Sequence, residues 1–151
     1  MKFQKNLEAR KQNILLRVDL NVPTIKRKII DDSKILALKK TLEDLVSKKN
    51  KIFLLSHFGR PKGRANPNFS LKFLANRIEK ISKLGKINFI DNCIGNKIRK
   101  KTMEMEYGEI CLLENVRFHK EEENNDMNFS KKLSENFDIY INDAFSASHR
   151  C

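Results

Sequence analysis

The chain has 151 residues, 40% of them hydrophobic, enough for one domain with a sizeable core. Lysine and arginine outnumber aspartate and glutamate 31 to 19, and the formal net charge of +12 suits either an anionic partner or a solvated basic surface. Three cysteines without a C-x-x-C pair, no apolar leader in Met1-Lys2-Phe3-Gln4-Lys5-Asn6 and no apolar stretch near the ~20 residues of a bilayer span argue against a disulfide scaffold, a secreted chain or a membrane protein, so a reducing, cytoplasmic location is expected.

The first apolar run, Ile14-Leu15-Leu16-Arg17-Val18, reads as a core strand that hands over to Asp19-Leu20-Asn21-Val22-Pro23. From Ser33 to Lys48 the residues Ile35, Leu38, Leu42, Leu45 and Val46 share one helical face, with Asp31, Asp32 and Ser33 suited to the positive end of that helix. Lys51-Ile52-Phe53-Leu54-Leu55 is the second strand, and Ser56-His57-Phe58-Gly59-Arg60-Pro61-Lys62-Gly63 stops it and forces a turn. A second amphipathic helix is expected from Ser70, with Leu71, Leu74, Ala75, Ile78 and Ile81 on its buried stripe. Ile87-Asn88-Phe89-Ile90 then runs into Asp91-Asn92, and a helix is expected at about 96 to 105. Ile110-Cys111-Leu112-Leu113 delivers Glu114-Asn115-Val116-Arg117, after which the polar stretch from Glu121, with Glu121-Glu122-Glu123, reads as a solvated loop without a role. A further helix at about 128 to 136 leads to Ile139-Tyr140-Ile141, then Asn142-Asp143-Ala144-Phe145 and His149-Arg150.

Strand and helix alternate throughout, which implies right-handed βαβ crossovers: a three-layer, Rossmann-like, doubly wound parallel sheet with helices on both faces. In such a sheet ligands bind at the carboxyl ends of the strands. Parallel strands would bring Arg17, Arg60, Arg117 and Arg150 together with His57 and His149 at that edge, a cluster fit for a multiply charged anion. An unpartnered guanidinium near a core is costly unless an anion or carboxylate answers it, which favours a binding role for Arg17, Arg117 and Arg150. Asp19 and Asn21 also suit a plain turn, and Lys62 and Arg64 a solvated one.

Four segments carry a resemblance to a known family. Arg17-Val18-Asp19-Leu20-Asn21-Val22-Pro23, Ser56-His57-Phe58-Gly59-Arg60-Pro61, Leu113-Glu114-Asn115-Val116-Arg117-Phe118-His119 and Asn142-Asp143-Ala144-Phe145-Ser146-Ala147-Ser148-His149-Arg150 are similar, in order and spacing, to signatures of the amino-terminal domain of phosphoglycerate kinase. The resemblance implies reversible phosphoryl transfer between 1,3-bisphosphoglycerate and ADP, giving 3-phosphoglycerate and ATP, in glycolysis or carbon fixation. It implies a 3-phosphoglycerate site on Asp19, Asn21, His57, Arg60, Arg117 and Arg150, with Arg17 beside them. It also implies Mg-ATP or Mg-ADP bound outside this chain, no specific nucleic acid, no membrane, and a monomer when full length.

The chain departs from that family in two ways. Lys34 stands where the family has an arginine thought to steady the transferring phosphoryl group, and a compact ammonium lacks the bidentate fork of a guanidinium. Residues 1–151 also read as only the substrate-binding domain, cut short at its carboxyl end, with no nucleotide-binding second domain; Gly59-Arg60-Pro61-Lys62-Gly63-Arg64 lacks the spacing of a P-loop. A non-catalytic remnant of the enzyme is therefore an alternative. A basic nucleic-acid-binding module is a weaker one, because the lysines are spread along the chain and tryptophan is absent.

Overall fold

In a computed structural model of the protein, residues 8–144 are described; His149, Arg150 and Cys151 lie outside them. Five strands form one parallel sheet: β1 (Asn13–Arg17), β4 (Lys51–Leu55), β5 (Ile87–Ile90), β6 (Ile110–Leu113) and β7 (Ile139–Asn142), in the spatial order β5-β6-β4-β1-β7. Each of the five runs expected from the sequence is a strand of this sheet. A short antiparallel hairpin, β2 (Thr24–Ile25) with β3 (Lys28–Ile29), adds to the elements that the sequence pattern predicts. Its two turn residues are Lys26 and Arg27, with φ of 47° and 63°, a left-handed pair that sequence normally advertises with Asn-Gly.

The helices are α1 (Ser33–Ser47), α2 (Ala75–Ser82), α3 (Asn96–Glu104), α4 (Lys120–Glu123) and α5 (Met127–Ser134). Ser70 does open the second helical segment, but through a 3-10 turn over Leu71–Leu74 that its side chain caps by accepting from the Lys72 amide. Leu71, Leu74, Ala75 and Ile78 form the buried stripe, with Ile81 half-buried against the same core. Glu121-Glu122-Glu123 is not a loop: it belongs to α4, and that correction matters for the site below.

Parallel strands covered on both faces must be apolar on both faces, and β1 and β4 are. Ile14, Leu16, Ile52 and Leu54 point to one side, where Ile35, Leu38, Leu42 and Leu45 of α1 and the stripe of α2 cover them. Leu15, Phe53 and Leu55 point to the other side, against Ile98 and Met105 of the α3 segment and Phe129 of α5. The connections that carry α1 and α2 step along the sheet in one direction, and those that carry α3 and α5 step back in the other. Right-handed crossovers therefore put the two pairs of helices on opposite faces, as the cores require.

The chain leaves β4 toward the α1–α2 face and leaves β6 toward the α3–α5 face, so the strand order reverses between these two neighbours, the point at which a doubly wound sheet places its ligand crevice. Asn50 secures the opposite end of the sheet. It is fully buried, donates to the carbonyls of Ala9 and Leu45 at 3.0 Å each, and accepts from the Gln12 amide at 3.0 Å. Phe53 is the largest fully buried side chain, and its ring meets that of Phe137 with centroids 5.0 Å apart. Phe53→Ala is expected to lower unfolding free energy by about 3–5 kcal/mol, the usual range for an aromatic removed from a core. Urea denaturation of both proteins checks this, and a loss under about 1 kcal/mol would contradict the packing.

Candidate functional site

Three carboxyl-terminal loops meet at the crevice, and buried hydrogen bonds fix them to one another. The Val18 amide donates to the Leu55 carbonyl at 3.0 Å, and the Val116 amide to the Ser56 carbonyl at 3.1 Å, so the ladder continues past the strand ends. The fully buried Ser56 hydroxyl donates to the Val18 carbonyl at 2.7 Å and accepts from the Leu20 amide at 3.0 Å. Asn115 holds the loop after β4 through its Nδ2, which donates to the carbonyls of Phe58 (2.8 Å) and Phe69 (2.9 Å). Glu114 accepts from the Asn115 amide, the Leu71 amide and the Ser70 hydroxyl. Ser56, Glu114 and Asn115 thus set the backbone from which the charged groups project.

Gly59 makes that loop possible. Its φ is +62°, and a methyl group on its α-carbon would strike the Phe69 ring, so both conformation and space demand glycine. Its amide donates to Asn21 Oδ1 at 3.0 Å, which ties the loop after β4 to the loop after β1.

Within this frame Arg17, His57 and Arg117 are 9%, 8% and 9% exposed. Arg17 Nη2 lies 3.4 Å from His57 Nδ1 and donates to Glu122 Oε1 at 3.3 Å. A guanidinium can only donate, so Nδ1 is the acceptor and the imidazole proton sits on Nε2. Arg117 Nε approaches the other Glu122 oxygen, Oε2, at 3.5 Å, without the alignment of a hydrogen bond. Glu122 therefore bridges two buried guanidiniums. On the other flank, Lys34 Nζ contacts Asp19 Oδ2 at 2.9 Å and Oδ1 at 3.1 Å, and donates to the Asn21 carbonyl at 2.9 Å. The Asn21 amide closes an Asx turn on Asp19 Oδ1 at 3.0 Å, so the turn role and a place at the site coexist in this pair.

Burial pushes the His57 pKa down to about 4, helped by the nearby charges of Arg117 and Arg17 and opposed by Asp19. At neutral pH His57 is consequently an uncharged donor among cations, its Nε2–H available to an acceptor.

Six of the eight residues singled out in the sequence are gathered here: Arg17, Asp19, Asn21, Lys34, His57 and Arg117. Arg60 stands exposed on the same loop, and none of the polar contacts that join the other six reaches it. Arg150 lies outside the described residues. A triple glutamate after a strand looks like any solvated run, so the sequence does not single out Glu122; only its proximity to Arg17, 105 positions away, reveals it. Asn142 and Asp143 bond within the protein. Asn142 Oδ1 accepts from the Ala144 amide at 3.1 Å, and Asp143 accepts from the Thr41 hydroxyl at 3.0 Å.

Behind the arginines a cleft of about 730 Å³ lies between β1 and β7 on one side and α4 and α5 on the other. Arg17, Arg117 and Glu122 line its polar end, and Leu15, Phe129, Leu133 and Tyr140 its apolar wall. Among the described residues no group of three or more His, Cys, Asp or Glu could hold a metal ion, and no helix is long and apolar enough to cross a membrane.

Doubly wound α/β domains form a class that binds ligands at the sheet edge where the strand order reverses, and this domain collects buried cations at that edge. The chain matches the phosphoglycerate kinase family over residues 4–151. It is 48% identical over 137 residues to the phosphoglycerate kinase of Borreliella burgdorferi, covering 90% of this chain and 34% of that protein. It is also 48% identical over 148 residues to the Wolbachia pipientis enzyme, covering 97% and 36%. The crystal structure of phosphoglycerate kinase from Pyrococcus horikoshii superposes with a TM-score of 0.87 at 29% identity, over 99% of this chain and 38% of that one. The Coxiella burnetii structure gives 0.84 at 33% identity, over 97% and 36%. This chain belongs to the phosphoglycerate kinase family, and it spans about a third of the length of the curated relatives it matches.

The low pKa of His57 has a consequence for stability. An unfolded imidazole binds its proton near pH 6.5 and the folded one only near pH 4, so between these values the unfolded state holds more protons. Stability contributed by His57 is complete above pH 6.5 and is lost as pH falls toward 4. An NMR titration of the imidazole is expected to show a midpoint near 4 with Nε2 protonated above it; a midpoint at 6 or higher contradicts the burial argument.

Proposed function

We propose that this chain supplies the 3-phosphoglycerate site of a phosphoglycerate kinase, the enzyme that moves a phosphoryl group reversibly between 1,3-bisphosphoglycerate and ADP. The observation that carries the reading is the buried Arg17–Arg117 pair beside neutral His57, in a chain of this family, at the crevice where a doubly wound sheet binds ligands. Two guanidinium forks and a compact ammonium at Lys34 suit the phosphate and carboxylate ends of phosphoglycerate. Asp19 and Asn21 suit its hydroxyl, and His57 Nε2–H suits an oxygen that gains no proton in the exchange.

Arg60 and Arg150 are assigned to the same anion. Arg60 is exposed and free to swing onto a ligand, a role that its place on the Gly59 loop supports. Phosphoryl transfer asks little covalent chemistry of the protein; positioning and neutralisation of charge supply most of the acceleration. Family membership implies a nucleotide and magnesium in the full enzyme. The part of these residues is to bind and orient the phosphoglycerate.

Calorimetric titration of 3-phosphoglycerate into the chain tests the assignment. Saturable binding is expected. Arg117→Ala should weaken it roughly a hundredfold, since loss of a buried charged partner costs about 2–5 kcal/mol, and the exposed Arg60→Ala about tenfold. Binding indifferent to both substitutions, or salt-sensitive binding to nucleic acid in its place, would overturn the reading.

Lys34 bears on rate. Its ammonium is held by Asp19 and the Asn21 carbonyl, and an arginine would offer a second donor edge to the ligand from the same helix terminus. In a chain extended by a nucleotide-binding half, Lys34→Arg is expected to raise kcat by roughly tenfold or more, part of the range attributed to transition-state arginines. An unchanged kcat would remove Lys34 from the catalytic assignment.

A further inference from the structure

Arg17 and Arg117 are like charges, nine-tenths buried, that share one counterion. Uncompensated, two guanidiniums in such a place repel each other and favour rotamers that reach water. Glu122 meets Arg17 at Nη2 and Arg117 at Nε, the inner edge of that guanidinium. It reaches them from the cleft side, where it lines the cavity with both arginines, while His57, Asp19 and Lys34 do not line that cavity. The carboxylate thus braces the pair from behind and leaves the His57–Lys34 side open to an anion. The α4 helix that carries it follows directly on the turn carrying Arg117, and Gly63 at φ +68° packs against Lys120 at its start, so the brace is seated on the same loops as the site.

We propose that Glu122 is the positioning residue of this site: its carboxylate fixes the Arg17 and Arg117 guanidiniums in the orientation that receives the anion, without touching the anion itself. This rests on the 3-phosphoglycerate reading above for the identity of the ligand, and on the bridging geometry alone for the bracing. A carboxylate that merely occupied the anion's place would do the opposite, since its removal would free donors and raise positive charge.

The test uses the whole chain, ¹⁵N-labelled, with the Glu122→Gln and Glu122→Asp variants and 3-phosphoglycerate as probe, at a temperature where each variant is folded. Glu122→Gln keeps the shape and loses the charge. It is expected to weaken 3-phosphoglycerate about tenfold and to speed solvent exchange of the Arg17 and Arg117 Nε–H resonances, with Glu122→Asp recovering part of both. In an Arg117→Ala background the same change should add little, because residues that act as a unit are not additive. Unchanged or tighter binding in folded Glu122→Gln would overturn the proposal, as would full additivity. Should the parent chain fail to bind 3-phosphoglycerate, the functional reading falls while the exchange measurement still decides the brace: faster exchange in Glu122→Gln supports it, and unchanged exchange rejects it.

Discussion

A parallel strand covered by helices on both faces has nowhere to put a charge except at its ends, and this constraint organises the whole domain. Along β1 the side chains of Ile14, Leu15 and Leu16 alternate between two cores, and polar groups are confined to its two ends, Asn13 and Arg17. The same holds for β4, which ends at Leu55 before Ser56 and His57, and for β6, which ends at Leu113 before Glu114. Because the three strands are parallel and in register, their permitted polar positions coincide in space. The site is thus a by-product of burying the sheet, made specific by which residues occupy those positions.

Gathering cations at a buried edge is destabilising in itself, and the domain offsets it locally. Three cations, Arg17, Lys34 and Arg117, face two carboxylates, Asp19 and Glu122, and His57 stays neutral. The uncharged imidazole matters as much as the ion pairs. A protonated His57 would add a charge between Arg17 and Arg117, whereas the neutral ring accepts from one guanidinium and still presents a donor. Polar scaffolding is bonded with few gaps around this cluster, through Ser56, Glu114 and Asn115, while the Arg117–Glu122 contact remains poorly aligned. The imperfect contact lies on the cleft side of the arginines, and the well-made ones sit where the backbone must not move.

Elements with strong periodicity were legible in the sequence because their pattern reports burial directly. All five runs are strands of one sheet, and the long α1 stripe of Ile35, Leu38, Leu42 and Leu45 is buried as its spacing requires. The hairpin of β2 and β3 was not, since four strand residues give no period and Lys26-Arg27 hides the left-handed turn. That turn is held by tertiary contacts instead: Arg27 donates to the Pro67 carbonyl at 3.0 Å and lies over the Phe73 ring. Glu122 was illegible for a related reason. Its role depends on a partner 105 residues away, and no local pattern in a run of three glutamates separates the one that turns inward.

Lys34 shows how the two levels meet. The family resemblance draws attention to this position, and the structure shows what the lysine does there. A compact ammonium can sit among both oxygens of Asp19 and the carbonyl of Asn21, three acceptors within 3.1 Å, all supplied by one tight turn. A guanidinium would address the same carboxylate through a planar bidentate fork, whereas the ammonium meets it as a single point of charge. The lysine is therefore bonded into the β1 loop as part of the scaffold, which strengthens the turn that presents Asp19 and Asn21. The same bonds pair its charge with the Asp19 carboxylate. In this chain the first turn of α1 is thus tied to the β1 loop beside the buried cations, and that tie follows from the geometry of one ammonium.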